Sequence, residues 1–224
     1  ECINKKVVND NQYEIIKGII KEIDFLISNT DFSKLYDEKV GLFSIGYSIQ
    51  ENKLYDSYYD LLASESRQTS LVAIAKKDVE EKHWHNLSRT LTEIYGHKGL
   101  VSWGGTAFEY LMPNINIPTF ESTIIDESCR LSVLSQIKYS KKLGIPWGIS
   151  EAAYSKKDLY GNYQYKTFGI PWLGLKRGLG SEAVISPYST IMALTISSDF
   201  ALNNLHKIEK EGGIGKYGFF DSID

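Results

Sequence analysis

Cysteine is nearly missing from this chain: Cys2 and Cys129 are the two in 224 residues, too few for a disulfide framework. Cys2 reads as part of a frayed terminus and Cys129 as part of a helix. Histidine is equally sparse, with four, and no Cys-x-x-Cys pair occurs, so the usual zinc patterns are absent and no structural metal is expected. His83 and His85 flank Trp84, but a two-residue separation does not put them on one helix face, which argues against a metal pair. No apolar run approaches the roughly 18–20 residues that would span a bilayer. The most hydrophobic helix-like stretch, 13–27, is interrupted by Lys17, Lys21, Glu22 and Asp24. Charge of one sign is also lacking: 25 basic residues stand against 28 acidic ones with no Lys/Arg stripe, so nucleic-acid binding has no electrostatic support. The GxSxG elbow, the GxxxxGK[ST] loop and the HExxH helix are all missing. "GLKRGLGS" at 174–181 has a phosphate loop's glycines without the flanking strand and helix, and reads as structural or sugar-contacting. No signal peptide is recognised, and the start at Glu1 rather than Met suggests a processed chain or a piece of a longer protein.

What the chain does have is aromatic surface. Fifteen Tyr, nine Phe and four Trp make up 12% of the residues, and many sit beside Gly rather than at helical spacing. Tyr and Trp offer a flat face with a polar handle, which suits sugar rings as well as core packing.

Residues 9–29 carry Tyr13, Ile16, Ile19, Ile20, Ile23 and Ile27 at three- and four-residue steps, predicting an amphipathic helix. Residues 40–55 alternate weakly, with Gln50-Glu51-Asn52-Lys53 as the turn of a short hairpin. Helices are predicted over 58–77, about 84–95, about 105–112, 121–143 with a stop at Gly144, and about 187–211 as one helix or a pair ended by Gly212-Gly213. Between 144 and 187 the period is lost. Seven glycines and three prolines there alternate with Trp147, Tyr154, Tyr160, Tyr163, Tyr165, Phe168 and Trp172. So long and aromatic an irregular stretch is read as the active face. Faint echoes among "GLFSIGYS", "IPWGISEAAY" and "GKYGFFDSI" suit an α-helical toroid whose loops converge on one side.

Charges at positions that should be apolar point to the chemistry. On a helix over 58–77, Glu65 falls within the face defined by Leu61, Leu62, Thr69, Val72 and Ala73, a costly place for a carboxylate without a partner or a function. Asp60, Ser64 and Arg67 share the adjacent stripe, so Arg67 could hold Asp60 or bind a substrate hydroxyl. Glu151 is the single charge between Gly144 and Ser155, among Trp147, Ile149, Ala152 and Tyr154. Apolar walls raise a carboxyl pKa, which makes a Glu a general acid near neutral pH. Glu109 is similarly isolated in "GGTAFEYLMP" and is either a third pocket acid or a helix carboxylate bonded to a neighbouring element. Asp126 is placed to orient Arg130 four residues on. Two carboxylates plus aromatic platforms are the minimum for glycoside chemistry, one acid protonating the leaving oxygen while the other attacks the anomeric carbon or activates water.

Long ordered motifs then carry a resemblance: "LFSIGYSIQENKLYDSYYDLLASESRQTSLVAIAKKDVEEKHW", "SWGGTAFEYLMP", "DESCR", "QIKYSKKLGIPWGISEAAY", "NYQYKTFGIPWLGLKRGL", "SPYSTIMAL" and "GKYGFFDSID". From about residue 30 onward the chain resembles the glycoamylase-like domain of cyclic β-1,2-glucan synthases. The resemblance implies an all-α fold, an (α/α)6 toroid or a large part of one, with short β-hairpins and Gly/aromatic-rich loops on the active face. It implies a glycoside hydrolase-type enzyme that closes rings of β-1,2-glucan by anomer-retaining transglycosylation and needs no cofactor. Glu65 in "LLASES" then matches the nucleophile and Glu151 in "WGISEAAY" the general acid/base. Asp60, Arg67, Trp103, Glu109, Trp147, Tyr154, Tyr163, Gln164 and Lys176 lie in the same blocks as candidate sugar contacts. The chain departs from the family at Glu127 and Ala152, where Gln and Ser are expected.

Residues 1–224 form one domain on this reading, a segment of a larger synthase at the bacterial inner membrane, facing the cytoplasm, with glucan as its partner and no membrane insertion of its own. A toroid of six helix pairs would leave fewer than about 19 residues per helix and connector, so part of the domain is expected outside the chain. Two other readings fit the same residues: an inverting endo-β-1,2-glucanase, and a glucan-binding module without activity.

Overall fold

A computed structural model describes residues 9–224; Glu1, read above as the start of a processed chain or of a piece of a longer protein, and Cys2, read as part of a frayed terminus, lie outside the described residues. The first helix, α1, spans Asp10–Asn29 and starts where Asn9 and Gln12 cap each other's main chain. None of its residues is buried: the predicted apolar stripe is there, but Ile19, Ile20, Ile23 and Ile27 face outward. A 3-10 turn and two small hairpins follow, β1 (Tyr36–Asp37) with β2 (Leu42–Phe43) and β3 (Tyr47–Ser48) with β4 (Lys53–Leu54). The second turns through Asn52 in the left-handed region, as the polar 50–53 stretch predicts.

The predicted helix over 58–77 is shorter. Helix α2 covers Arg67–Lys76, and residues 58–66 are irregular. Their main chain bonds elsewhere: Tyr58 bridges Ser44, Leu61 bridges Ser88, and Leu62 N donates to Ser88 O at 3.1 Å. Helix α3 is a single turn, Lys82–Asn86. The rest of the predicted 84–95 helix is instead a hairpin, β5 (Leu91–Ile94) with β6 (His97–Leu100). Tyr95 and Gly96 both take positive φ in its two-residue turn.

Helix α4 (Ala107–Leu111) and α5 (Ile124–Leu143) form the centre. Helix α5 ends, as predicted, with Gly144 in the left-handed conformation. It is buried around most of its girth, through Leu131, Ser135, Gln136 and Tyr139 among others. Asp126 and Arg130 pair on it at 3.1 Å, the four-residue step expected. The irregular stretch after α5 contains one hairpin, β7 (Ala152–Lys157) with β8 (Tyr163–Lys166). The helix pair α6 (Pro187–Met192) and α7 (Ser198–Lys210) follows, then a final hairpin, β9 (Ile214–Gly215) with β10 (Gly218–Phe219). The described residues therefore hold seven α-helices and five two-stranded sheets, a helix-rich chain with small hairpins. Among the described residues, no helix is long and apolar enough to cross a membrane.

The main core gathers Leu62, Leu100, Tyr110, Leu131, Phe168 and Leu173 from five stretches of chain. A smaller cluster of Phe43, Ala73 and Val79 lies beside His83, whose ring meets Phe43 edge-on at 4.9 Å and Tyr36 at 5.4 Å. His83 is fully buried while His85 is exposed, so the two side chains do not converge. The Gly41 carbonyl, 3.1 Å from Nδ1, can only accept, so Nδ1 carries the proton and Nε2 accepts from Ser70 at 2.9 Å. Burial holds the imidazole below its ordinary value of 6.5. A depressed folded value means stability fully present above pH 6.5 and lost as pH falls from there through the lowered folded value. We expect the melting temperature to drop between about pH 7.5 and pH 5, and to drop less in His83→Gln. Equal slopes for the two proteins in calorimetry would refute this.

Candidate active site

The segment Trp147–Ser150 is immobilised on every side before the chain reaches Glu151. Asn204 of α7 receives the Trp147 N–H at 3.0 Å and donates to its carbonyl at 2.6 Å. Gln136 of α5 does the same for Ile149, at 2.7 Å in both directions. Ser186 N donates to Gly148 O at 2.7 Å, and Ala107 N of α4 to Ile149 O at 3.3 Å. Gly148 has φ of 134°, and a Cβ there would lie 2.8 Å from Ser189 Oγ, so the position admits only glycine. Glu151 follows at once, half-buried, just ahead of β7.

Glu65 reaches the site differently. It lies on the turn before α2 rather than on a helix face, and Ser64 Oγ donates to its carboxylate at 3.2 Å. The turn is anchored by Arg67, whose guanidinium donates to the carbonyls of Ser64 (2.9 Å), Glu109 (2.8 Å) and Tyr110 (2.6 Å). Arg67 is buried and fully engaged, so it does not hold Asp60 and is not available to a substrate hydroxyl. Desolvation pushes its pKa down, and the charge of Glu65 is among the groups opposing that.

Glu109 resolves as the helix carboxylate rather than an open pocket acid. It closes the capping box of α4 with Thr106 and accepts from Ser102 Oγ (2.8 Å), Gly104 N (2.8 Å) and Thr106 N (2.9 Å). With both oxygens occupied and the residue buried, it is not free to bind sugar. Its burial pushes its pKa up while these donors pull it back. Glu109 still acts on the site at a distance. The Glu151 carboxyl is pushed above its ordinary value of 4.5, first by burial and then by the negative charges of Glu109 and Glu65. Three carboxylates from separate stretches of chain thus bear on one place.

The other candidates divide. Trp147 is buried in the core and offers no face to a ligand. Tyr154 is half-buried and edge-on to Phe168 at 5.4 Å. Trp103, Tyr163, Asp60 and Lys176 are exposed, and Gln164 is half-buried on β8. Lys157 lies over the Tyr163 ring at 4.6 Å. The loop carrying Trp103 is docked by a seam of glycines. A Cβ on Gly174 would lie 2.6 Å from Gly104 O, and Lys176 N donates to Trp103 O at 2.9 Å. A cavity of about 290 Å³ behind the Glu65 turn, walled by Leu62, Arg67, Trp84 and Phe120, includes neither Glu65 nor Glu151.

Sequence reasoning missed Tyr188 and Asp221, and named Tyr165 only as one aromatic of the stretch read as the active face. The Tyr188 hydroxyl reaches Ser150 Oγ at 2.9 Å and the Glu151 carbonyl at 2.8 Å. The Tyr165 phenol is pushed up by burial and then by Glu151 and Asp221. Asp221 accepts from Ala153 N at 3.1 Å, along the edge of β7 away from β8. The one available signal was their place in "SPYST", "NYQYK" and "FFDSID", beside residues already singled out.

The glycoamylase family model, described as "Putative glucoamylase", matches residues 57–224. The chain belongs to this family. The match takes in both Glu65 and Glu151 and leaves α1 outside it. This family member is 44% identical over 210 residues, or 94% of its length, to the cyclic beta-(1,2)-glucan synthase NdvB of Rhizobium meliloti strain 1021. It spans 7% of that protein. Among solved structures it matches an endo-beta-1,2-glucanase from Chitinophaga pinensis in complex with sophorotriose and glucose, with TM-score 0.65 and 17% identity over 93% of this chain and 53% of that one. A chain from Bacteroides caccae ATCC 43185, carrying the same description as the family model, matches with TM-score 0.68 and 16% identity over 96% of this chain and 55% of that one. At these identities the structures establish a shared fold, and the family member spans about half of each solved chain.

Proposed function

We propose that this chain is a carbohydrate-active domain that acts on β-1,2-glucan by anomer-retaining transglycosylation, with Glu65 as nucleophile and Glu151 as general acid/base. The reading is carried by Glu151: a half-buried carboxyl raised by burial and by two neighbouring carboxylates, on a main chain fixed from several helices. Such a group holds its proton to higher pH than an ordinary Glu, as a general acid must. Glu65 attacks the anomeric carbon while Glu151 protonates the departing glycosidic oxygen. The ionised Glu151 then takes the proton of a hydroxyl at the far end of the same glucan, and that oxygen displaces Glu65 to close the ring. Water in place of that hydroxyl would give hydrolysis. Retention by this route needs carboxyl groups roughly 5–5.5 Å apart.

Trp103 and Tyr163 are the aromatic faces open to sugar, with Asp60, Tyr154, Gln164 and Lys176 as polar contacts. The helices and hairpins are read as part of an (α/α)6 toroid, and the domain as one segment of a larger synthase at the inner membrane, facing the cytoplasm. Similarity to a much longer glucan synthase supports the reading of the domain as one segment of a larger chain.

Linear β-1,2-glucan incubated with the protein and analysed by mass spectrometry tests the proposal. Products one water lighter than their linear counterparts are expected. Shortened linear products would instead make the chain a glucanase, with proton NMR of the first-formed anomer distinguishing retention from inversion. Binding without product would make it a glucan-binding module.

A further inference from the structure

The Glu151 carboxylate makes no hydrogen bond to any other described side chain, so its aim is inherited from its main chain. That main chain passes from the clamp on Ile149 to the β7–β8 ladder, whose register begins at Ala152. Between them stands Tyr188 of α6. A carbonyl can only accept and a phenol has one proton, so Tyr188 donates to the Glu151 carbonyl at 2.8 Å. The same hydroxyl lies 2.9 Å from Ser150 Oγ, which accepts from Phe108 N of α4 at 3.1 Å. These contacts link α4, through Ser150 and Tyr188, to the residue carrying the acid.

We infer that Tyr188 is a positioning residue for Glu151, tying its carbonyl to α6 and, through Ser150, to α4. The inference rests on the reading of Glu151 as general acid/base. The phenol does not touch the reacting atoms: its one proton is committed to the carbonyl, and burial pushes its pKa upward, so it stays protonated. The charged and titratable groups around it are Glu151, Tyr165 of β8 and Asp221 of the C-terminal segment. Glu65 and Glu109 act on Glu151 from the other elements.

Tyr188→Phe keeps the ring that packs on the core and deletes one oxygen. On linear β-1,2-glucan it should lower kcat about tenfold while KM stays within about twofold, because aim is lost and ground-state binding is not. The alkaline limb of kcat/KM should move to lower pH, since a Glu151 free to turn toward solvent sheds the desolvation that holds its proton. A defect confined to folding would not move that limb. Ser150→Ala, which cuts the chain one link earlier, should shift it the same way by less, and carries the test should Tyr188→Phe lack a cooperative melt. A folded Tyr188→Phe with the wild-type kcat and limb overturns the inference while leaving the function standing. Wild type inert toward the glucan overturns both.

Discussion

Glu151→Gln is expected to lower kcat on linear β-1,2-glucan by about 10²–10⁴-fold, the usual worth of a positioned general acid. The amide cannot protonate the leaving oxygen, yet it fills the same space on the same clamped main chain, so the melting temperature should hold. Glu65→Gln should cost as much or more, because it removes the covalent route itself. An aryl glycoside separates the two roles. A leaving group of low pKa needs no proton, so it should restore formation of the glycosyl-enzyme in Glu151→Gln and not in Glu65→Gln. In wild type, activity should fall with rising pH on a limb above the ordinary Glu value of 4.5, since the working form is protonated and burial with two nearby charges lifts its pKa. Full activity in either variant, measured by product release under saturating substrate, would overturn the assignment.

Arg67→Met is expected to carry the largest stability loss. The guanidinium serves three main-chain carbonyls, those of Ser64, Glu109 and Tyr110, at a site only 3% exposed. Methionine matches its length but donates nothing, leaving three buried carbonyls without the guanidinium that served them. Each such group costs about 1–3 kcal/mol and the terms are not additive, so roughly 3–5 kcal/mol in total is a reasonable expectation. For a domain of this size that is a fall of about 10–15 °C in melting temperature. Arg67→Lys should recover part of it, because one ammonium cannot fan across three carbonyls as a planar fork does. A melt of Arg67→Met within about 3 °C of wild type would show that the turn carrying Glu65 is held by something else.

The elements legible in the sequence are those whose signals are local. The apolar steps from Tyr13 to Ile27 mark α1, Gly144 the end of α5, and the polar run at 50–53 a hairpin, because helical spacing, stops and turns are decided within a few residues. Residues 58–66 misled because Leu61 and Leu62 sit at helical spacing from later apolar residues, whereas their main chain is engaged by Ser44 and Ser88. Those partners are remote in sequence for Leu61 and Leu62 alike, and no periodicity announces them. The hairpin at 91–100 hid for a similar reason, since Tyr-Gly is not the usual turn signal for two positive φ values. Glu65 and Glu151 stood out as charges in apolar company, and so did Glu109. What separated Glu109 from the pair was hydrogen bonding to Ser102 and Gly104, five to seven residues before it, which isolation in the sequence could not reveal. Tyr188 went unseen because a tyrosine at the start of a helix carries no anomaly until its hydroxyl is placed.

The glycine seam beneath Trp103 divides two duties that proteins often entangle. The loop is fastened backbone to backbone, through Gly104 against Gly174 and Trp103 O to Lys176 N, so its hold does not depend on which side chains stand at the rim. Trp103 and Lys176, both exposed, can therefore be exchanged at little risk to folding. A library confined to those two positions would vary the rim proposed to meet sugar while leaving the scaffold unchanged. The glycines themselves mark where diversity must stop.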